Sequence, residues 1–337
     1  MKIGLMSFAH THAAGYMALL GAMDDVELLT SDPEHVERPG ETGGAEMAAE
    51  HGAAYVDSYD ELFAWQPDAV VICSQNVRHR RDVERAAAAG VHVLCEKPLA
   101  TSIEDATAIL AAVEAAGIRL MTAYPVRFSP AFTALRAAIE GGQLGELRSF
   151  VGTNNGSVPA GRRAWFVDPE QAGGGALIDH VVHLADLMDV LLDGDRATSV
   201  YATANAHLPG AGKGAETAGL VSISYACGVS ATIDSSWSVP VSAPQWGGLT
   251  LKAIGSAGVA AMDAFNQRVD GFSEATASPL WLSYGHNLDA LMLADFLSLV
   301  RGGPSAGADG AGGLRTAAVA VAALESVRTG QAVSVDL

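Results

Sequence analysis

The sequence predicts an α/β protein, in which a doubly wound parallel sheet is followed by an α+β domain with a large, mostly antiparallel open sheet. Three observations predict it. Residues 1–123 alternate short, uniformly apolar runs with helical stretches. Strands this apolar are covered by helices on both faces, as in parallel sheets. After Tyr124-Pro125 the rhythm changes to consecutive β-type runs with short turns, the pattern of antiparallel pairing. A chain of 337 residues also exceeds the size at which one hydrophobic core stops growing. The division is therefore placed between residues 1–123 and 124–337.

The strands of the first part are Ile3–Met6, Val26–Leu29, Ala69–Cys73, Val91–Cys95 and Ile118–Thr122. Its helices are Ala13–Met23, Ala45–His51, Tyr59–Trp65, Val77–Ala89 and Ile103–Ala116. The last carries both end signals: Thr101 with Glu104 reads as a capping box, and Gly117 stands where a C-cap glycine belongs. The second part begins with a helix over Pro130–Glu140 and a strand over Leu147–Thr153. A long helix runs from about Gly175 to Leu192, followed by strands at Ser199–Ala206, Ala218–Tyr225, Val229–Trp237 and Gly248–Ile254. Helices at Asn287–Arg301 and Gly313–Arg328 precede a last strand at Val333–Asp336.

A formal charge of −18, spread along the chain, repels nucleic acid and anionic membrane surfaces, so neither is expected as a partner. No apolar run reaches the ~20 residues of a membrane span, and no secretory signal is read at the start. The three cysteines, Cys73, Cys95 and Cys227, form no CxxC pair and are odd in number. They read as free thiols in a reducing cytoplasm, and no metal centre is expected.

The loop after the first strand should carry G-x-G-x-x-G if the sheet binds a dinucleotide. Here it reads Ser7-Phe8-Ala9-His10-Thr11-His12, with all three glycines replaced. Ser7 and Ala9 are small enough for a close approach, while His12 crowds the helix; His10 or His12 would donate to a phosphate instead. Asp32, about 20 residues on, stands where an acid binds ribose hydroxyls and disfavours a 2′-phosphate, so NAD is preferred and NADP is kept open. The plainer reading is a turn begun by Asp32-Pro33.

The strongest local signal is Cys95-Glu96-Lys97-Pro98, directly after an apolar strand, where ligands of open α/β sheets gather. The preceding strand opens into Ser74-Gln75-Asn76-Val77-Arg78-His79, a polar cluster at the same sheet edge. Together with His92-Val93, these stretches resemble the Gfo/Idh/MocA oxidoreductases (glucose–fructose oxidoreductase and inositol dehydrogenase), whose pattern is T-P-N-x-x-H and then H-V-x-x-E-K-P. The resemblance continues through Arg127-Phe128-Ser129-Pro130, Gly173-Gly174-Gly175 with Asp179 and His183, and Glu325-Ser326 with Thr329-Gly330. It implies a Rossmann domain contacting NAD through Ser7, Phe8, Ala9, His10, His12, Asp32, Ser74, Gln75, Asn76, His79, Glu96 and Lys97.

The long helix makes its own case. It is apolar nearly all round, hence buried, yet holds Asp179, His180, His183 and Asp186. Asp179, His183 and Asp186 share one face by helical spacing. Burying such groups costs several kcal/mol unless they pair or line a cavity. A core pair and a metal set are the competing readings of the spacing. The resemblance makes Lys97, Asp179 and His183 catalytic, with His183 taking a hydroxyl proton and Lys97 steadying the oxygen. Tyr124, Arg127, Trp165 and His180 join them as expected substrate contacts, and His286 as a further one.

The function expected is hydride transfer between nicotinamide and a carbinol or carbonyl of a sugar-like molecule. Two alternatives stand beside it: a redox-neutral, NAD-using lyase or glycosidase, and a non-catalytic regulator that binds nucleotide or sugar. A homodimer or homotetramer formed through the second sheet is implied by the resemblance.

Overall fold

The computed structural model describes residues 1–161, 163–208 and 214–337. Six parallel strands form the first sheet: β1 (Lys2–Met6), β2 (Glu27–Ser31), β3 (Ala54–Tyr55), β4 (Ala69–Ile72), β5 (His92–Cys95) and β6 (Leu120–Thr122). Their order is β3-β2-β1-β4-β5-β6. The chain reverses direction across the sheet between β1 and β4, which opens a crevice at their carboxyl ends. Side chains of these strands are buried on both faces. Ile3, Leu5 and Val71 enter one core, and Met6, Val70 and Ile72 the other.

The intervening helices are α1 (His12–Gly21), α2 (Gly44–Glu50), α3 (Tyr59–Ala64), α4 (His79–Ala88) and α5 (Ile103–Ala116). The α5 cap sits one residue later than the sequence suggests. Ser102, in extended backbone, accepts from Asp105 N at 3.1 Å, so the cap is Ser102 rather than Thr101. Gly117 ends the helix with φ +64°, as its position predicts.

A short turn, Pro125–Phe128, leads to α6 (Pro130–Glu140). The second part then comprises β7 (Leu147–Gly156), α7 (Pro169–Ala172), α8 (Ala176–Leu191), β8 (Ala197–Asn205), β9 (Ala218–Tyr225), β10 (Ser230–Ser236), β11 (Gly247–Gly255) and β12 (Val259–Asp263). A hairpin of β13 (Arg268–Ser273) and β14 (Ser278–Ser283) follows, then α9 (Leu288–Val300), α10 (Gly310–Thr329) and β15 (Val333–Ser334). The large sheet runs β12-β11-β7-β10-β9-β8-β15 and is antiparallel except for β7 with β10. Its inner face packs Phe150, Val221 and Ile233 against Leu177, Val181 and Leu184 of α8. Its outer face leaves Val151, Tyr201 and Leu220 exposed.

Four strands escape the sequence reading: β3, β12, β13 and β14. The hairpin pairs only with itself and buries neither face, so it lacks the one-sided apolar alternation that marks a strand. The helix α9 also departs from a simple division at 123/124. Its Met292, Leu293, Phe296 and Leu297 enter the core of the first sheet beside Ile3 and Leu5. No described helix is long and apolar enough to cross a membrane.

Candidate active site

Three elements bring the central group together. Lys97 follows β5, and the Lys97–Pro98 bond is cis. Its Nζ donates to Asp179 Oδ1 at 2.6 Å and to the Asp179 carbonyl at 3.2 Å. Asp179 lies in the first turn of α8, where helix amides favour a negative charge. Trp237 Nε1, just past β10, donates to Asp179 Oδ2 at 3.0 Å, and His180 Nε2 lies 3.1 Å from the same oxygen. Burial alone would raise the Asp179 carboxyl, but Lys97 and His180 outweigh it and hold the group well below the usual carboxylate range.

His183 stands one turn farther along α8. Burial, then the charges of Lys97 and His180, push its imidazole well below the usual value, so it is neutral at pH 7. Its Nδ1 has no partner among the described residues, and the Tyr124 ring packs edge-on at 5.8 Å. The start of α8 is set by Glu216, which accepts from Gly175 N at 2.8 Å and Leu177 N at 3.0 Å. A Cβ on Gly175 would fall 2.1 Å from the Glu216 carbonyl, so only glycine allows that approach.

Lys97, Asp179, His180 and His183 line one cleft of about 600 Å³, with His10 and His12 on the side of the first sheet. His286 also lines it. His12 Nδ1 lies 2.9 Å from Glu96 Oε1, which also receives the Tyr16 hydroxyl at 2.8 Å. Burial would lower His12, but Glu96 overrides it and raises the imidazole; burial drives His10 well below its ordinary value. His10, His12 and Glu96 offer three ligand atoms within 4.8 Å of one another, a spacing that a metal ion would accept. Their mutual hydrogen bonds already account for most of these atoms.

The loop between β1 and α1 uses its own amides. Phe8 N donates to Asp32 Oδ1 (3.1 Å), Ala9 N to Ser7 Oγ (3.3 Å), His10 N to Cys73 O (2.8 Å) and His12 N to His10 Nδ1 (3.2 Å). Ser7 adopts φ +63°, the left-handed conformation for which glycine is the usual choice. Asp32 is held by Arg38 Nη2 at 2.6 and 2.8 Å and by Gly44 N at 3.0 Å. From the second part of the chain, Arg163 donates to Phe8 O (3.2 Å) and Ala9 O (3.1 Å), and Trp165 Nε1 to Ala9 O (2.9 Å). Asn76 Nδ2 reaches Ala172 O at 2.8 Å.

Several expected contacts take other partners. Tyr124 is buried with its hydroxyl on Thr316 Oγ1 at 2.8 Å, so it backs His183 and does not line the cleft. Arg127 forms a bidentate pair with Asp186, at 2.6 Å and 3.1 Å, and borders a different cavity. Trp165 stacks on Phe166 at 4.0 Å and covers Ala9 rather than the cleft. His79 has both ring nitrogens on carbonyls, Pro98 O at 2.8 Å and Ser74 O at 3.3 Å, which ties α4 to the Lys97 turn. Arg38, Glu216 and Trp237 belong to no sequence motif: Glu216 and Trp237 reach partners 41 and 58 residues away, and Arg38 reaches Asp32 across the turn Pro33–Glu37.

Residues 3–124 match the oxidoreductase family with an NAD-binding Rossmann fold, and residues 132–261 match the GFO/IDH/MocA C-terminal domain. The chain is 30% identical to 1,5-anhydro-D-fructose reductase of Ensifer adhaerens, over 86% of this chain and 89% of that protein. The chain belongs to the Gfo/Idh/MocA family. It is 30% identical to inositol 2-dehydrogenase of Rhizobium meliloti, over 80% of this chain and 81% of that one. GenD2 from gentamicin A biosynthesis, solved in complex with NAD, shares the fold: TM-score 0.86 at 24% identity, covering 100% of this chain and 97% of that one. The protein is thus an NAD(P)-dependent oxidoreductase with NAD as its cofactor, and membership favours net redox over an elimination cycle or a regulator.

The residues present fit the dinucleotide. His10 Nε2, Ser74 Oγ, Gln75 Oε1 and Asn76 Oδ1 are buried polar atoms without a hydrogen-bond partner among the described residues. They stand at the carboxyl ends of β1 and β4, the path such a ligand takes in this fold. Unpaired buried polar atoms each cost about 1–3 kcal/mol, and a polar ligand would relieve that cost.

Proposed function

We propose that the protein interconverts a secondary carbinol and a carbonyl of a sugar or polyol at Lys97, Asp179 and His183. The observation that carries this reading is the Lys97 ammonium 2.6 Å from Asp179, in a cleft shared with a neutral histidine. NAD, when bound, accepts the hydride from the carbinol carbon. His183 takes the hydroxyl proton, for which a neutral imidazole is required. Lys97 donates to the same oxygen and stabilises the charge that develops as the C=O bond forms. Asp179 holds the ammonium in place and accepts from a neighbouring hydroxyl. In the reverse direction His183 returns the proton. Measuring NADH absorbance across a polyol and sugar panel tests the reading, and full turnover by His183→Ala would refute it.

Cofactor contacts follow the unpaired atoms: Ser74, Gln75, Asn76 and His10 face the dinucleotide, with Asp32 toward the adenosine ribose. Arg163 and Trp165 bond the Phe8 and Ala9 carbonyls beside these atoms, and Ala172 O accepts from Asn76, so the dinucleotide enters once these contacts open. The division at 123/124 separates a cofactor domain from a substrate domain, with α9 returning to the former. A homodimer or homotetramer through the outer face of the large sheet would bury Val151, Tyr201 and Leu220; light scattering tests it. Cytoplasmic residence is the setting that suits the buried free thiols Cys73 and Cys95.

A further inference from the structure

Three aromatic rings, Trp246, Phe265 and Trp281, line the same cleft as Lys97, Asp179 and His183. Two of them continue a row that begins beside Asp179. The Trp246 ring stands 6.3 Å from that of His180 and 6.3 Å from that of Phe265. These rings are braced from behind. A Cβ on Gly156 would come within 2.9 Å of His180 and 3.1 Å of Trp246, and one on Gly247 within 2.2 Å of Asn155 O. The glycines thus let Trp246 settle against the sheet edge. The Arg268 guanidinium lies 4.4 Å from the Trp281 ring and is itself held by Asp263 Oδ2 (3.2 Å) and Phe265 O (3.0 Å). Such a stack fixes Trp281 without filling the cavity in front of it.

Rigid aromatic rings facing a water-filled cleft leave apolar surface that a ligand can cover. Trp246 remains 45% exposed. Arg268 is engaged with Asp263 and Lys97 with Asp179, so neither cation is free to hold an anionic ligand at the aromatic surface. Trp281 and Phe265 also lie beyond residues 132–261, the stretch matched to the family's C-terminal domain.

We propose that this wall is a subsite for the second part of a glycoside. The reacting sugar sits at Lys97, Asp179 and His183, and an uncharged group with a flat apolar face stacks on Trp246, Phe265 and Trp281. That group is an aromatic aglycone or a second pyranose ring. The inference rests on the dehydrogenase reading above and narrows its substrate from any polyol to a two-part molecule.

The test pairs each free hexose and pentose of a panel with its phenyl glycoside, its methyl glycoside and a disaccharide carrying it. NADH formation is measured with wild type and Trp281→Ala. The expected result is a KM about ten-fold lower for the phenyl glycoside or disaccharide than for the free sugar, with the methyl glycoside resembling the free sugar. Which of the two shows the gain distinguishes aglycone from second sugar. In Trp281→Ala that ratio collapses toward one. Equal KM values for free sugar and glycosides in wild type, or an unchanged ratio in the variant, overturns the subsite. If no member forms NADH, the dehydrogenase reading fails, and tryptophan-fluorescence titration with the phenyl glycosides decides the subsite separately. Saturable quenching that weakens about ten-fold in Trp281→Ala supports it, and no quenching overturns it.

Discussion

The two ends of the cleft solve the same problem, buried polar groups, in opposite ways. At the substrate end, Lys97, Asp179 and His180 satisfy one another around an open cavity, and His183 is left neutral. At the adenosine end, Asp32 and Arg38 pair in a fully covered site, the loop amides bond within the chain, and Arg163 and Trp165 close over the top. The first end is organised before any ligand arrives. The second holds unpaired atoms beneath a cover, and on the proposed cofactor contacts it opens to admit the dinucleotide. The comparison teaches that chemistry and cofactor affinity are built from separable residues, so substitutions at the two ends should read out differently.

The largest effect is expected at the open end. His183→Ala lowers kcat by about 10²–10⁴-fold, the usual worth of a positioned general base, while NAD affinity stays near wild type. Stopped-flow NADH formation and isothermal titration check the pair of readouts, and a parallel loss of NAD binding would break the separation. At the closed end, Arg38→Ala leaves Asp32 buried without its counter-charge, with only the Phe8 and Gly44 amides and the Ser7 hydroxyl to hold it, at a cost of about 3 kcal/mol by denaturant unfolding. NAD should then raise Tm more than in wild type, because ribose hydroxyls take over the freed carboxylate. Unchanged stability would mean the ion pair does not organise that end. Asp32→Asn sharpens the same point: the preference for NAD over NADP falls about ten-fold as the repelling charge is removed.

The pH response belongs to the open end. His183 is depressed below its ordinary 6.5, so the oxidation rate is flat through neutrality and falls only as pH drops below that value, when the base is protonated. The same depression means stability also declines as pH falls through that range, since the unfolded chain binds the proton more tightly. An acid limb centred above 6.5 in the kcat–pH profile would contradict it. The smallest effect is expected for Trp165→Phe, which removes one hydrogen bond to Ala9 and keeps an aromatic, though smaller, side chain there. It should cost about 1 kcal/mol in urea unfolding and speed NAD association, because the cover lifts more readily.

Much of this was legible beforehand. The parallel sheet shows in strands apolar on both faces, and Lys97, Asp179 and His183 stand out because charged groups interrupt apolar elements at positions where ligands gather. Arg127 and Tyr124 misled for the same reason that made them visible. A polar residue near a motif can face either of two cavities, and Asp186 drew Arg127 to the other one. Trp165, expected as a substrate contact, instead bonds the Ala9 carbonyl of the loop after β1. Neither choice has a local signal.

The linear order of residues by itself determined the family and the two sheets, and singled out Lys97, Asp179 and His183 as candidates, since periodicity and close-range motifs are properties of short segments. Only the tertiary structure decided that Arg38 occupies Asp32, that Trp237 and Glu216 hold the start of α8, and that the hairpin swings Trp281 over the cleft. Those partners are separated by loops of variable path. Their meeting depends on how the turn after β2 folds back on that strand and on how α8 packs against the second sheet, and no local spacing encodes that.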